Sequence, residues 1–340
     1  MLQRVAPYEP KVLPEVFRRL SGLIGNTPMI RMVFATPDGE RTVLGKLECG
    51  NLSGSIKDRM AFEVLSAAYA RGELSPGDTI VEATSGNAGI ALSALGRALG
   101  HKVVIFMPDW MSVERIRIME GYGAEVRLVN REEGGFLGAI AQAEEMASRE
   151  GMFAPRQFSN PDNVWAHAKT TGPEILRVCG AAGLSPSAFV AGVGTGGTVM
   201  GCARSLRAAW PALRVHPVEP AESPTLSTGH KVGKHRIQGV SDDFIPEIVK
   251  LNELDEVVAV NDGDGILMAQ KLSREAGLGV GISSGANVVA ALKVASDTRP
   301  VVTVLCDCSK KYLSTDLAKD EPVRDGYITP EVELIRVETL

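Results

Sequence analysis

Short apolar, β-branched runs alternate along this chain with longer stretches whose apolar positions recur at helical spacing. The runs 79–83, 103–107, 125–129, 188–193, 214–218 and 301–306 have strand length, whereas 87–99, 114–122, 136–149, 198–209 and 265–276 read as helices. Gly100 and Gly277 stand just past two of the helical stretches, where a left-handed cap is expected. Strand-length runs that alternate with helical stretches mean βαβ units. The pattern therefore predicts an α/β fold of βαβ units, with a mainly parallel sheet and helices on both faces. At 340 residues the chain has room for two domains or one two-lobed unit, and a soft break is expected at Asn160-Pro161-Asp162-Asn163.

Composition narrows the function classes. A net charge of -5 with 23% charged residues argues against a nucleic-acid-binding protein, which needs a basic face. No apolar run approaches the ~20 residues that span a bilayer, and the first twenty residues are charged and proline-punctuated rather than a signal peptide. A cytoplasmic protein with neither membrane nor nucleic-acid partner is expected. The five cysteines are scattered and odd in number, so neither a metal site nor a structural disulfide is expected.

Four polar turns carry the candidate chemistry. The run ending at residue 193 leads directly into Gly194-Thr195-Gly196-Gly197-Thr198 and then a helix, an arrangement that aims backbone N–H groups and a positive helix end at an anion such as phosphate. Gly192, Gly194 and Gly197 also satisfy a dinucleotide-binding spacing, with Glu219 ending the next strand, so a nicotinamide dehydrogenase stays open at this point. A second turn, Thr84-Ser85-Gly86-Asn87-Ala88, opens the helix after the run 79–83 and suits a carboxylate or a cofactor oxygen. A plain helix cap explains it equally well. The third turn, Gly281-Ile282-Ser283-Ser284-Gly285, offers a neutral hydroxyl. The fourth, Ser53 to Arg59, places Lys57 at a helix start, against the usual charge preference and where the neutral amine is favoured. A solvated surface lysine is the alternative.

These turns, in this order, resemble the cysteine synthase (O-acetylserine sulfhydrylase) and cystathionine β-synthase family of fold type II pyridoxal-phosphate enzymes. The likeness begins at Ile24-Gly25-Asn26-Thr27-Pro28 and runs through Ser55 to Arg59, Thr84 to Asn87, Met107-Pro108-Asp109 and Glu114-Arg115. It continues through Gln157 to Pro161, Thr171 to Ile175, Gly194 to Thr198, Gly281 to Gly285 and Tyr312-Leu313-Ser314-Thr315. The resemblance implies the tryptophan synthase β-like fold, with 49–160 as a smaller mobile lobe and 1–48 with 161–340 as a larger lobe holding the cofactor phosphate, the N-terminal segment packed on the larger one. By the same resemblance Lys57 carries pyridoxal 5'-phosphate as a Schiff base, Gly194, Thr195, Gly196, Gly197 and Thr198 hold its phosphate, Asn87 meets its ring oxygen and Ser283 faces its pyridine nitrogen. Thr84, Ser85, Gly86, Asn87, Ala88 and Gln157 would hold the substrate carboxylate.

The implied reaction is β-replacement on an activated serine, O-acetyl-L-serine with sulfide giving L-cysteine and acetate, in a homodimer. A cystathionine β-synthase or another nucleophile, and a serine/threonine dehydratase, share the same turns. The stretch from Glu219 to Gly239, with Lys231, Lys234, His235 and Arg236, is closer to the acetylserine enzymes, and its cations would meet an anionic substrate or simply solvent. Two departures from the family stand out. Ala88 replaces the usual threonine, and Cys306-Asp307-Cys308-Ser309-Lys310-Lys311 replaces a segment of different composition; no role follows for it.

Overall fold

The computed structural model describes residues 14–340 except Ser85, Ser241, Asp242 and Asp297. Each predicted strand forms, at or within two residues of its expected bounds. In chain order the strands are β1 Met29–Thr36, β2 Gly39–Leu47, β3 Thr79–Ala83, β4 Lys102–Pro108, β5 Glu125–Val129, β6 Met152–Phe153, β7 Ala188–Gly192, β8 Arg214–Pro220, β9 Val258–Val260, β10 Val301–Leu305 and β11 Glu333–Thr339. They make two sheets, β11-β1-β2-β10-β7-β8-β9 and β5-β4-β3-β6. The smaller sheet is parallel throughout, whereas in the larger one β1 pairs antiparallel with both β2 and β11. The pattern had given no sign of this antiparallel edge.

Alternation within the strands shows why both sheets need helices on two faces. In β10, Val301 and Leu305 enter one core while Val302 and Val304 enter the other; in β4, Val103, Ile105 and Met107 face one core and Val104 and Phe106 the opposite one. The helices Asp262–Ala276 and Ile282–Val294 cover one face of the larger sheet, and Gly172–Ala181 with Gly197–Ala209 cover the other. Lys57–Arg71 and Asn87–Ala98 cover one face of the smaller sheet and Gly135–Ala147 the other.

The helix Glu15–Ser21 departs from expectation. It packs not on the larger sheet but against Lys57–Arg71, with the Phe17 ring edge-on to Phe62 and Tyr69 at centroid distances of 5.5 Å. Its single buried large apolar residue, Phe17, selects the nearest complementary aromatic pair. Among the described residues no helix is long and apolar enough to cross a membrane, no His, Cys, Asp and Glu cluster could hold a metal ion, and all five cysteines are free thiols.

Candidate active site

The strand-to-helix turns after β3 and β7 lie at the carboxyl ends of parallel strands, the edge where α/β sheets bind ligands. One cavity there is lined by Lys57, Thr84, Asn87, Ala88, Gln157, Gly194, Thr195, Gly196, Thr198 and Ser283, so residues up to 226 positions apart in the sequence converge. Ser85 lies outside the described residues. Gly86 and Gly197 are not part of the lining: the Gly86 N–H donates to the Thr84 hydroxyl at 3.1 Å and the Gly197 N–H to that of Thr195 at 3.4 Å. The amide of Gly86 is thus engaged within its own turn rather than presented to a carboxylate.

Lys57 opens the helix Lys57–Arg71. The turn before it is shaped by Asp58, whose buried carboxylate accepts from the N–H groups of Ser53 at 3.0 Å and Ser55 at 3.3 Å. The Ile56 N–H donates to the carbonyl of Cys306 at 2.9 Å, which pins the lysine turn to the end of β10. Two residues beyond Lys57, Arg59 enters a buried ion network with Glu48, Glu174 and Lys46. Burial pushes the Glu174 carboxyl up, but the Arg59 hydrogen bond and charge outweigh it and hold the group at about 2.

The glycine turn after β7 is built for close approach. A Cβ on Gly194 would sit 2.3 Å from the carbonyl oxygen of Gly239, and Gly196 holds φ +86, with its would-be Cβ 2.2 Å from Val249. Their absence of side chain leaves the backbone of Gly194 to Gly196, with Thr198 in the first turn of Gly197–Ala209, along the cavity wall, where a helix N-terminus stabilises an anion. Thr198 Oγ1 lies 3.3 Å from His167 Nε2, and the other ring nitrogen of His167 lies 2.9 Å from Thr171 Oγ1. Burial, reinforced by the charges of Arg59 and Lys57, keeps this imidazole neutral. Asn163 donates to both Thr195 Oγ1 and the carbonyl of Gln157, coupling the glycine turn to the residue expected to meet the substrate. Gln157 is also tethered from behind: its N–H donates to Glu82 at 3.1 Å, a carboxyl that burial pushes up to about 7.

Glu219, the acid that kept a dinucleotide site open, is committed elsewhere. Its carboxylate accepts the N–H groups of Leu226 at 2.7 Å and Ser227 at 3.3 Å and the Ser227 hydroxyl, capping the short helix Thr225–Thr228. The rim cations are largely paired as well, Lys231 with Asp243 and Arg236 with Asp262 and Glu321. They border a wider cavity of 960 Å³ that shares Gln238, Gly239 and Val240 with the lysine cavity. Lining residues given no role from the sequence include Arg115, Phe158, Val240 and Cys306. Arg115 stands in a quoted motif, but its stacking on Tyr312 at 4.7 Å depends on a fold contact no spacing announces. Burial pushes the Cys306 thiol up to about 12, so it is a neutral wall.

The donor set fits pyridoxal phosphate: one cavity gathers an anion cradle, a lysine, an amide and a neutral hydroxyl, Ser283. Independent comparisons agree. The family model described as pyridoxal-phosphate dependent enzyme matches residues 20–307. A probable cysteine synthase of Bacillus subtilis is 42% identical over 307 residues, 89% of this chain and 98% of the relative. The structure of a hydrogen sulfide-producing enzyme from Fusobacterium nucleatum is 48% identical with a TM-score of 0.91, covering 96% of this chain and 99% of that one. A cysteine synthase from Entamoeba histolytica is 35% identical with a TM-score of 0.82, covering 95% and 96%.

Proposed function

The chain belongs to the pyridoxal-phosphate dependent enzymes, and from that premise we propose that it is a cysteine synthase-type transferase, converting O-acetyl-L-serine and sulfide to L-cysteine and acetate. The observation that carries the reading is the convergence of Lys57, Asn87, the glycine turn and Ser283 in one cavity with Thr84 and Gln157. Pyridoxal phosphate held there supplies an electron sink for the α-carbon of an amino acid. Lys57 would anchor it, and the lysine amine, once free, would take the α-proton. The first-turn N–H groups of Asn87–Ala98, with the Thr84 hydroxyl and the Gln157 amide, hold the α-carboxylate and aim the Cα–H at Lys57. Ser283 would face the pyridine nitrogen as a neutral partner, which would favour departure of the β-substituent over transamination. Acetate leaves from Cβ, sulfide adds to the same carbon, and Lys57 returns a proton to Cα.

The decisive experiment offers the purified, cofactor-loaded protein O-acetylserine, O-phosphoserine and serine, each with sulfide or homocysteine. Cysteine formation fastest from O-acetylserine and sulfide is expected; none from that pair overturns the reading. A second direction of the same chemistry is favoured by the 48% identity to the hydrogen sulfide-producing enzyme, namely cysteine as the β-substituted substrate and sulfide as the leaving group. Sulfide release from cysteine alone, compared with cysteine formation, ranks the two. A cytoplasmic homodimer belongs to the same proposal and is checked by light scattering and cell fractionation.

Residues 49–160 are proposed as a lobe that closes on the substrate, supported by the smaller sheet's own two-faced core and by the value of excluding water from a reactive β-carbon. Liganded and ligand-free structures should differ in the position of Thr84 and Gly89 relative to Ser283; superposition without movement rejects closure.

Ala88, buried at 2% exposure, stands in the first turn of the carboxylate-binding helix and lines the cavity. A hydrogen bond to a charged group contributes about 1.5–3 kcal/mol, so Ala88→Thr is expected to tighten O-acetylserine binding by up to about tenfold, the neighbouring donors having taken part of that gain. The single-turnover rate of acetate loss should stay within about twofold, because the carboxylate contact is equal in ground and transition states. Binding no tighter than wild type would mean that Ala88 is fitted to a different substrate.

A further inference from the structure

The segment after β10, Cys306 to Lys311, has no role in the reaction outlined above, yet two of its charged residues are buried beside the lysine turn. Asp307 is 0% exposed and Lys311 3%. Lys311 Nζ donates to Asn87 Oδ1 at 2.9 Å and to the carbonyl of Gly54 at 3.2 Å. Asn87 Nδ2 in turn donates to Asp307 Oδ2 at 2.7 Å, an oxygen that also accepts from the Tyr312 hydroxyl at 2.7 Å. An ammonium can only donate and a carboxylate can only accept, so the Asn87 amide has a single allowed orientation between them. Asp307 takes one of the two amide hydrogens, and the other is left for the cavity that Asn87 lines.

Lys311 does a second thing. By holding the carbonyl of Gly54 it ties the turn that carries Lys57 to the turn that carries Asn87, and the antiparallel bridge between Ser55 and Asp307 holds the same seam. Burying an ammonium is costly unless it is paired and fully hydrogen-bonded, and Asp307 and Asp58 supply the opposing charge. We propose that Lys311, with Asp307 as its counter-charge, is a positioning residue that locks the Asn87 amide toward the ring oxygen of the cofactor and sets the electronic state of the cofactor bound at Lys57. This rests on the assignment of Asn87 to that oxygen.

The test uses the full chain loaded with pyridoxal phosphate and no substrate. It reads the ratio of the long- to short-wavelength absorption bands of the bound cofactor together with its dissociation constant. Lys311→Met should move the band ratio in the same direction as Asn87→Ala and weaken cofactor binding about tenfold or more, the loss of one charge-assisted hydrogen bond. The double variant should move the ratio no further than Asn87→Ala alone, and Lys311→Arg, which keeps the cation, should restore it toward wild type. A wild-type spectrum and affinity in Lys311→Met, or additive shifts in the double variant, overturns the proposal. If circular dichroism shows Lys311→Met unfolded, Asp307→Asn, nearly unchanged in volume, must shift the ratio instead; an unshifted spectrum there overturns it equally. A wild-type protein that takes up no pyridoxal phosphate, or an Asn87→Ala variant with an unaltered spectrum, instead sinks the underlying assignment and this proposal with it.

Discussion

Lys57→Ala is expected to abolish β-replacement, lowering kcat by at least about 10⁴-fold, the upper end of what one positioned proton-transfer group contributes, because the same amine is proposed to anchor the cofactor as well. The fold should survive intact. Lys57 is the first residue of its helix, and the side chain is only partly buried. Removing a cation from a helix N-terminus relieves an unfavourable dipole contact of about 0.3–1 kcal/mol, and alanine is the better helix former. Thermal unfolding of the cofactor-free variant should therefore match or slightly exceed wild type. The glycine turn and Ser283 remain, so pyridoxal phosphate should still bind, but without the absorbance of a lysine-bound cofactor. Retention of that absorbance in the absence of an added primary amine would transfer the anchoring role to another residue.

How far the sequence carried depended on whether a feature was local. β3 and β5 fall on their expected bounds for different reasons: β3 is buried along its whole length and mostly apolar, whereas β5 is a largely exposed edge strand marked by Val126, Leu128 and Val129. The edge formed by β1, β2 and β11 was missed. In β11 the burial is only partial along its length, and in β1 and β2 the apolar positions break into no helix-separated unit. The turns around Lys57, Asn87, Gly194 and Ser283 were legible because each is a short contiguous segment at a helix start; singly each also reads as a plain helix cap, and it was their joint occurrence that carried the family resemblance. Their neighbours were not. Arg115, Cys306, Asp307 and Lys311 reach the site through contacts between segments about 200 to 260 residues apart, and nothing in the spacing of a lysine distinguishes a buried clamp from a solvated side chain. The rim cations show the converse: a cluster that invites an anion in the sequence is mostly neutralised by Asp243, Asp262 and Glu321 in the fold.

Arg59→Met should be the most destabilising of the substitutions considered, although it lies two residues from Lys57 and is not assigned to touch substrate. The Arg59 guanidinium is 1% exposed and donates from Nε to Glu48 at 2.6 Å and from Nη1 to Glu174 at 2.7 Å. With Lys46 it balances two buried carboxylates. Lys46 cannot serve both, since its ammonium is 2.7 Å from Glu174 but 4.0 Å from Glu48. Methionine fills much of the volume yet leaves a buried negative charge uncompensated, a loss of about 3–5 kcal/mol. The thermal midpoint should fall by at least about 5 °C. Pairing it with Glu48→Gln, which removes the orphaned charge, should recover part of the loss, as expected for residues in one network. The pH dependence supplies a second readout. Glu174 is held at about 2 against an ordinary value of 4.5, so the stability it contributes is complete above 4.5 and is lost as pH falls toward 2. Without Arg59 that slope should flatten between these values. A midpoint within about 1 °C of wild type, with the acid slope unchanged, would show that the network is not what holds the lysine helix against the larger sheet.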